Sequence, residues 1–322
     1  MKPLLTALIL LLATFGGLQF YRPETMPFFL AGGTVVAVLG LFKLATGQVE
    51  IDLVYVLGLL AVQLSLIANL DIWPVAFGRF VLVLLALATL VVARSVGSEE
   101  LRTAIEWAGW GYPLVLLLAP GNPNIQAVWP VVFLLVSARS LAIDGRFTKW
   151  LYAALHFGAL LWLGSRGALI GLAVGSLLLY RPRLNRFSVT GVVFGVGAAL
   201  AVRPHTALNR LAYWHEALAA WSQSPLLGVG PGGLWARSLI QEPGGGQQIH
   251  AHNILITTLA ELGLPGLIAL LCLAYHLYRS VFQPWQTALI AAFAAWSLVD
   301  EPLFWPGPLL LLALVVGCRQ KV

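Results

Sequence analysis

Apolar runs alternate with short polar stretches along nearly the whole chain, and these runs predict its secondary structure. Arg, Lys, Asp, Glu, Asn, Pro and Gly separate the runs. Most runs approach the roughly 20 residues that an α-helix needs to cross the hydrocarbon core of a bilayer. The pattern predicts an all-α integral membrane protein with about twelve transmembrane helices, at 3–20, 27–45, 51–69, 77–94, 102–119, 124–142, 149–163, 167–180, 187–203, 253–278, 284–299 and 304–318.

Two neighbouring runs, 149–163 and 167–180, are short for a full crossing. They either cross a locally thinned bilayer or form a re-entrant pair, and the sequence favours neither arrangement. Both arrangements return the chain to the same side of the membrane, so the topology of the other spans does not depend on the choice.

The composition also fits a polytopic membrane protein. The chain is 59% hydrophobic and 10% charged, with a mean hydropathy of +0.87, whereas soluble domains are about a quarter charged. The first run begins at Leu4 without a small-residue cleavage site, so we expect a retained helix rather than a removed signal peptide. We expect one membrane domain over 1–322, in which Cys272 and Cys318 are buried free thiols.

The basic residues of the short connections predict the orientation. With the N-terminus in the cytoplasm, thirteen Lys and Arg residues lie on the cytoplasmic side and six on the external side, so both termini are predicted to be cytoplasmic. The external six are all arginines, which bind phosphate and carboxylate groups better than lysines do. They are Arg22, Arg79, Arg166, Arg203, Arg210 and Arg237. Three of them, Arg22, Arg79 and Arg203, fit a role as interface anchors.

The one long connection, 204–252, is predicted to be an external loop with structure of its own. Within it, 206–222 places apolar side chains on two helical stripes, which predicts a short amphipathic helix on the membrane surface. The stretch SPLLGVGPGGL, at 224–234, contains four glycines and two prolines. We call it the glycine elbow, because it predicts tight turns and a close backbone approach. EPGGGQQ, at 242–248, predicts a mobile hinge or the tip of a lid.

Three external arginines could carry chemistry. Arg166 lies between two apolar runs, and a charge at membrane depth costs roughly 2.5–3.5 kcal/mol, so it is either paired, functional or extended to the interface. Arg210 is either a ligand-binding group or part of a solvated helix face. Arg237 follows the glycine elbow and fits a charge at the rim of a site.

Residues 250–253 read HAHN, and three interpretations of the two histidines compete. As metal ligands they would need a third and usually a fourth partner. As interface residues they need no function. As a general base, one neutral histidine would take a proton from a hydroxyl group. Asn253 suits the cap of the following helix, in which Glu261 could pair with an arginine.

Nucleotide-binding and hydrolase signatures are missing from the sequence. It contains no P-loop, no nucleophile elbow with its partners, no kinase signature and no dinucleotide fingerprint. Cytoplasmic ATP is therefore not indicated as the source of energy, and an activated substrate delivered in the membrane fits the external reactive groups better.

The order of several motifs resembles the bacterial O-antigen ligase and O-antigen polymerase superfamily of membrane glycosyltransferases. His252 and Asn253 are followed by nine residues and then by GLPG, which is similar to the ligase pattern. The resemblance covers the chain from about residue 120 to its end. The other matching motifs are GNPN at 121–124, SRGALIGL at 165–172, RLAYWHEAL at 210–218, SPLLGVGPGGL at 224–234 and SLVDEPLF at 297–304.

This resemblance implies a type-C glycosyltransferase-like fold in the bacterial cytoplasmic membrane, with its active site on the external, periplasmic side. It implies an inverting transfer of a glycan from undecaprenyl diphosphate to an acceptor hydroxyl, without a metal or another cofactor. His252 would be the catalytic residue, and Arg166 and Arg210 would bind the diphosphate. The secondary candidates are His250, Asn253, Arg237 and Glu261.

The motifs leave the acceptor open. A ligase of the O-antigen type transfers to a lipid A core or another surface anchor, and a polymerase transfers to another lipid-linked repeat unit. A transporter or flippase would instead show charges at mid-depth and two related halves, whereas the acids here lie mostly at span ends. We expect a lipid-linked glycan donor, a lipid or glycan acceptor with a free hydroxyl, the membrane, and no nucleic acid as partners.

Overall fold

The computed structural model describes 2–15, 52–118, 121–144, 147–180, 204–241, 247–280 and 282–318, with a few positions between 38 and 47. The regular structure of these residues is helical, and one isolated antiparallel bridge joins Gln241 to Gln247. The α-helices are α1 (Lys2–Phe15), α2 (Leu53–Ala68), α3 (Trp73–Ala93), α4 (Ser98–Leu118), α5 (Pro123–Gln126), α6 (Val128–Asp144), α7 (Phe147–Leu163), α8 (Arg166–Leu179), α9 (Pro204–Gln223), α10 (Gly233–Ala236), α11 (Ile254–Arg279), α12 (Pro284–Ser297) and α13 (Pro306–Gly317). Short 3-10 turns cover Leu70–Ile72 and Pro302–Phe304.

The predicted apolar runs form helices wherever the structure describes them. The predicted span at 187–203 lies outside the described residues, and most of 27–45 does too. Among the residues that the structure describes, two helical stretches can cross a membrane by length and composition, Leu70–Ala93 and Ile254–Arg279, and several other apolar helices are shorter. The all-helical class is therefore confirmed, and the twelve crossings stay a prediction.

Helices α8 and α12 pack together through a row of glycines. Gly167, Gly171 and Gly175 are four residues apart and so share one face of α8. A Cβ atom on Gly171 would lie 2.9 Å from the carbonyl oxygen of Ala292, and one on Gly175 would lie 2.9 Å from that of Ala288. Such close contact through small residues is typical of membrane helices. The antiparallel pairing fixes the start of α8 against the end of α12.

Helices α3 and α13 run side by side in the same direction. Near the start of α3, Arg79 Nη1 donates to the carbonyl oxygen of Phe304, just before α13. At the other end, a Cβ atom on Gly317 would lie 2.4 Å from the carbonyl oxygen of Leu90. This pairing brings Arg79 to the same end of the fold as the start of α8.

The GLPG stretch interrupts α11. Gly263 has φ +66° and ψ −162°, outside the helical region, and a side chain there would collide with the backbone of Leu226. Pro265 has no N–H group, so it cannot donate to the carbonyl oxygen of Glu261 one turn earlier. The interruption leaves carbonyl groups of α11 in need of donors from elsewhere.

The glycine elbow supplies these donors. Val229 N donates to the carbonyl oxygen of Ala260 at 2.9 Å, and Gly230 N donates to that of Glu261 at 3.0 Å. Gly228 approaches so closely that a Cβ atom there would lie 2.4 Å from the same Glu261 oxygen. The predicted close backbone approach is therefore confirmed, and its target is the interrupted helix.

Helix α9 confirms the helix predicted within the external loop. Tyr213 and Ala217 are buried, and Trp221 packs against the same small core. Leu211 and Leu218, on the other predicted stripe, are exposed. One stripe therefore faces the protein and the other faces away, as an amphipathic helix requires. Part of the predicted hinge, 242–246, lies outside the described residues.

Both cysteines are free thiols. Cys318 is buried, as predicted, but Cys272 is exposed, so the prediction that both are buried was wrong. Leu271 and Tyr275 are exposed on the same side of α11. This side of the helix faces away from the protein, and an apolar run does not reveal which of its faces does so.

Candidate functional site

The candidate site lies where the start of α8, the start of α11 and the end of α12 meet. Asp300 follows α12, and a Cβ atom on Gly167 at the start of α8 would lie 3.3 Å from its Cβ atom. His252, just before α11, lies within hydrogen-bond distance of the Asp300 carboxylate. Three elements that are distant in sequence therefore converge on one acidic side chain.

Asn253 sets the start of α11. Its Oδ1 atom accepts from the N–H groups of Leu255 and Ile256, at 3.0 and 3.2 Å, and its Nδ2 atom donates to the carbonyl oxygen of Leu298 at 2.9 Å. The predicted helix cap is therefore confirmed. The last bond also joins the start of α11 to the end of α12.

The His252 imidazole is hydrogen-bonded to Asp300, with 2.9 Å between Nδ1 and Oδ1. Burial raises the pKa of Asp300, but the hydrogen bond from His252 and the nearby positive charge outweigh it and lower the pKa to about 2. An ionised carboxylate can only accept, so Nδ1 of the ring carries the proton. The other ring nitrogen, Nε2, then keeps a lone pair in the neutral ring.

Gln248 lies at this second nitrogen of His252. The distance between His252 Nε2 and Gln248 Oε1 is 3.2 Å, and the amide can present either its oxygen or its NH2 group to the ring. The Tyr213 ring of α9 lies 5.8 Å from the imidazole, measured between centroids. The His252 side chain is 17% exposed, so an incoming hydroxyl group could reach it.

His250 is more deeply buried than His252, and its contacts are structural. Burial is the main cause that lowers the pKa of His250 well below its ordinary value. Its Nδ1 atom accepts from the backbone N–H of His252 at 3.2 Å. Its ring lies 4.8 Å from that of Phe304. A neutral His250 therefore supports the backbone of its neighbour.

One set of atoms in the site could hold a metal ion. It consists of one ring nitrogen each from His250 and His252 and a carboxylate oxygen of Asp300, all within 4.8 Å of one another. In this arrangement His252 and Asp300 share a hydrogen bond, and the cationic Arg210 lies close by. The nearby positive charge opposes the binding of a further cation.

The two predicted diphosphate-binding arginines are placed differently relative to Asp300. Arg210, on α9, has its Nη2 atom 3.9 Å from Asp300 Oδ2, with 18% of its side chain exposed. Arg166 is the first residue of α8, and the next residue, Gly167, lies against Asp300. The structure thus brings His252 and Arg210 together and places the backbone of Arg166 beside them.

Arg237 and Glu261 have different surroundings. The Arg237 guanidinium group binds both carboxylate oxygens of Asp71, each at 2.8 Å from Nη2, and Nη1 donates to the carbonyl oxygen of Val229. Arg237 therefore ties the glycine elbow to the end of α2. The Glu261 side chain is buried and accepts from the backbone of the elbow, and it interacts with the charge of Arg79.

Sequence reasoning missed three residues at the site. Asp300 holds His252, and Glu301 Oε1 accepts from Asn253 N at 2.8 Å. The Arg79 guanidinium carbon lies 3.3 Å from the centroid of the Phe304 ring, and this interaction is more specific than the predicted interface anchoring. The sequence could have indicated Asp300 and Glu301, because the two acids are adjacent within SLVDEPLF, at the end of an apolar run.

Comparison with known proteins agrees with the resemblance found in the sequence. A family model described as O-antigen ligase matches residues 151–271. This range contains Arg166, Arg210, the glycine elbow, HAHN and GLPG. The resemblance to the O-antigen ligase and polymerase superfamily is thereby confirmed. Searches of curated proteins and of solved structures found no significant match.

Glu301 should give the folded protein a distinctive pH dependence. Burial raises the pKa of Glu301 from 4.5 to about 8, so in this pH window the folded state keeps a proton that the unfolded state releases. The free energy of unfolding therefore falls as the pH rises through the window. Glu301→Gln removes this contribution, so we expect wild-type protein to lose melting temperature relative to the variant between pH 5 and pH 8.5. Thermal unfolding in detergent at a series of pH values measures this difference in melting temperature.

Glu99→Gln is the matched control, because Glu99 is an exposed acid on α4. Its melting temperature should follow that of the wild type at every pH. An equal difference between wild type and Glu301→Gln at both ends of the window would contradict the raised pKa.

Proposed function

We propose that this protein transfers a glycan from an undecaprenyl-diphosphate donor to an acceptor hydroxyl, as an O-antigen ligase does. The observation that carries the proposal is the convergence on Asp300 of His252, Arg210 and the start of α8, which begins with Arg166. A base lies beside cationic groups that suit a diphosphate leaving group. The family match, which covers all these residues except Asp300, supports the same activity.

His252 would act as the general base of this reaction. The acceptor oxygen attacks the anomeric carbon of the donor sugar, and its proton passes to Nε2 of His252. The bond between that carbon and the diphosphate oxygen breaks, so the configuration at the carbon inverts. Asp300 stabilises the imidazolium ion that forms, because its negative carboxylate already accepts a hydrogen bond from the Nδ1–H group.

Arg166 and Arg210 would bind the diphosphate. The leaving group gains negative charge as its bond to the sugar breaks, and cationic donors placed beside it lower the barrier. The guanidinium group is suited to this role, because its planar fork can bind two phosphate oxygens at once. The reaction as proposed needs neither a metal ion nor another cofactor.

An apolar cavity would receive part of the isoprenoid chain of the donor. It measures about 280 Å³ and lies between α2, α3, α11 and α13. Along α11 its lining extends from Thr258 to Leu277, a helical length of about 28 Å, which is close to the ~30 Å thickness of a hydrocarbon core. Thr258 lies near the start of α11, so the chain would approach the site from within the bilayer.

The proposed setting is the bacterial cytoplasmic membrane. Both termini would lie in the cytoplasm, and the site would face the periplasm, on the same side as the predicted external loop 204–252. The acceptor would be a lipid or glycan with a free hydroxyl group. Ligase and polymerase activities differ only in this acceptor, so the assay below separates them.

Purified protein, undecaprenyl-diphosphate glycan and a separate acceptor would test this function. We expect one-step transfer to the acceptor, unaffected by a chelator. A ladder of lengthened lipid-linked products would instead identify a polymerase. Absence of both products would contradict glycan transfer. Inhibition by the chelator that added metal reverses would contradict the metal-independent reaction and favour metal binding by the two histidines.

His252→Asn should reduce transfer in this assay by at least about 100-fold, since a general base typically contributes about 10²–10⁴ in rate. Asn is chosen because it tolerates a left-handed backbone, and His252 has φ +56°. His215→Asn, which changes an exposed histidine on α9, serves as the control and should leave the rate unchanged. Wild-type activity in His252→Asn would rule out the base role.

Arg166→Lys and Arg210→Lys should each lower kcat by about 10-fold or more, because a lysine keeps the charge but loses part of the donor set that stabilises the leaving group. Steady-state rates at saturating donor measure the effect. The same exchange at Arg279, an exposed residue at the far end of α11, should have no effect. If lysine replaces both arginines without loss, they do not clamp the diphosphate.

A further inference from the structure

The backbone around His252 is held by side chains rather than by other backbone groups. Three successive N–H groups each donate to a side chain, namely Ala251 N to Thr257 Oγ1 at 3.1 Å, His252 N to His250 Nδ1 at 3.2 Å and Asn253 N to Glu301 Oε1 at 2.8 Å. The arrangement specifies one backbone conformation for the HAHN stretch.

That conformation is unfavourable for the residue at its centre. His252 has φ +56°, in the left-handed region that residues other than glycine seldom adopt. A non-glycine residue keeps such a conformation only when its surroundings enforce it. The hydrogen bonds on both sides of His252 provide this enforcement, and the conformation directs its ring to Asp300.

Thr257 and Glu301 link two of the three bonds into one network. The Thr257 hydroxyl accepts from Ala251 N and donates to Glu301 Oε1. The same Glu301 oxygen accepts from Asn253 N, so one carboxyl oxygen controls the backbone before and after His252. Both side chains are buried, with Glu301 3% and Thr257 6% exposed.

Glu301 is also joined to the partner of the imidazole. Its backbone N–H donates to Asp300 Oδ1 at 2.8 Å, the oxygen that binds His252 Nδ1. The dipeptide Asp300-Glu301 therefore holds the ring of His252 with one side chain and the backbone of the same loop with the other. Displacing either contact would change the direction of the imidazole.

We propose that Thr257 and Glu301 are positioning residues that hold His252 in its left-handed conformation and so keep its imidazole on Asp300. This inference rests on the proposed function, since it assumes that His252 is the base. Neither side chain needs to touch the substrate. Loss of the network should therefore lower kcat and leave the KM for the donor nearly unchanged, because Arg166 and Arg210 are not part of it.

The test compares two pairs of variants in full-length protein supplied with the lipid-linked donor and acceptor. Thr257→Val keeps the shape of the side chain and removes both hydrogen bonds, whereas Thr257→Ser keeps them. Glu301→Ala removes the acceptor oxygen, whereas Glu301→Gln keeps one. We expect Val and Ala to lower kcat by about 10–100-fold, the scale of a catalytic group displaced by an ångström. Thr257→Ser and Glu301→Gln should keep kcat within about 3-fold of the wild-type value, because the retained hydrogen bonds leave the imidazole close to its position.

The double variant Thr257→Val with Glu301→Ala should lose little more than either single variant, because both act through one network. Wild-type kcat in folded Thr257→Val and Glu301→Ala would overturn the inference, as would a rise of KM in proportion to the fall of kcat. If Thr257→Val does not fold, the comparison of Glu301→Ala with Glu301→Gln tests the inference alone. The proposed function fails by a different result, namely that the wild-type protein forms neither transfer product, and the base role fails when His252→Asn retains wild-type activity.

Discussion

The buried carboxylate of Asp300 is the interaction on which the site depends. An ionised carboxylate removed from water is costly unless charges and hydrogen bonds compensate it. The His252 imidazole and the backbone N–H of Glu301 donate to one of its oxygens, and Arg210 lies 3.9 Å from the other. Each compensating group comes from a different element or loop. Consequently α9, the HAHN stretch and the end of α12 must assemble together.

Close backbone contacts through glycines make this assembly possible. The Gly167, Gly171 and Gly175 row lets α8 approach α12, so that the residue after Arg166 lies against Asp300. The glycine elbow performs a second task, because its N–H groups satisfy carbonyl groups that Gly263 and Pro265 leave without helical donors. Both contacts place polar chemistry at one end of an apolar bundle.

The sequence predicted the helices, the Asn253 cap and the close approach of the glycine elbow, because each depends on neighbours within a few residues. It did not predict that Asp300 would contact His252, since 48 positions separate the two and no local period connects them. The glycine row on α8 was visible in the sequence, but its partner was not. Arg237 fits a rim charge by position, yet its guanidinium group binds Asp71, 166 residues away. The roles of His252, Arg166 and Arg210 stay predictions.

The base role of His252 can be tested most directly by chemical rescue. His252→Gly removes the imidazole and keeps a residue that adopts the left-handed backbone without strain. Glycan transfer by this variant should be nearly absent, and added imidazole should restore part of it in proportion to the concentration of the neutral imidazole as the pH is varied. Transfer at the wild-type rate without imidazole would contradict the base role.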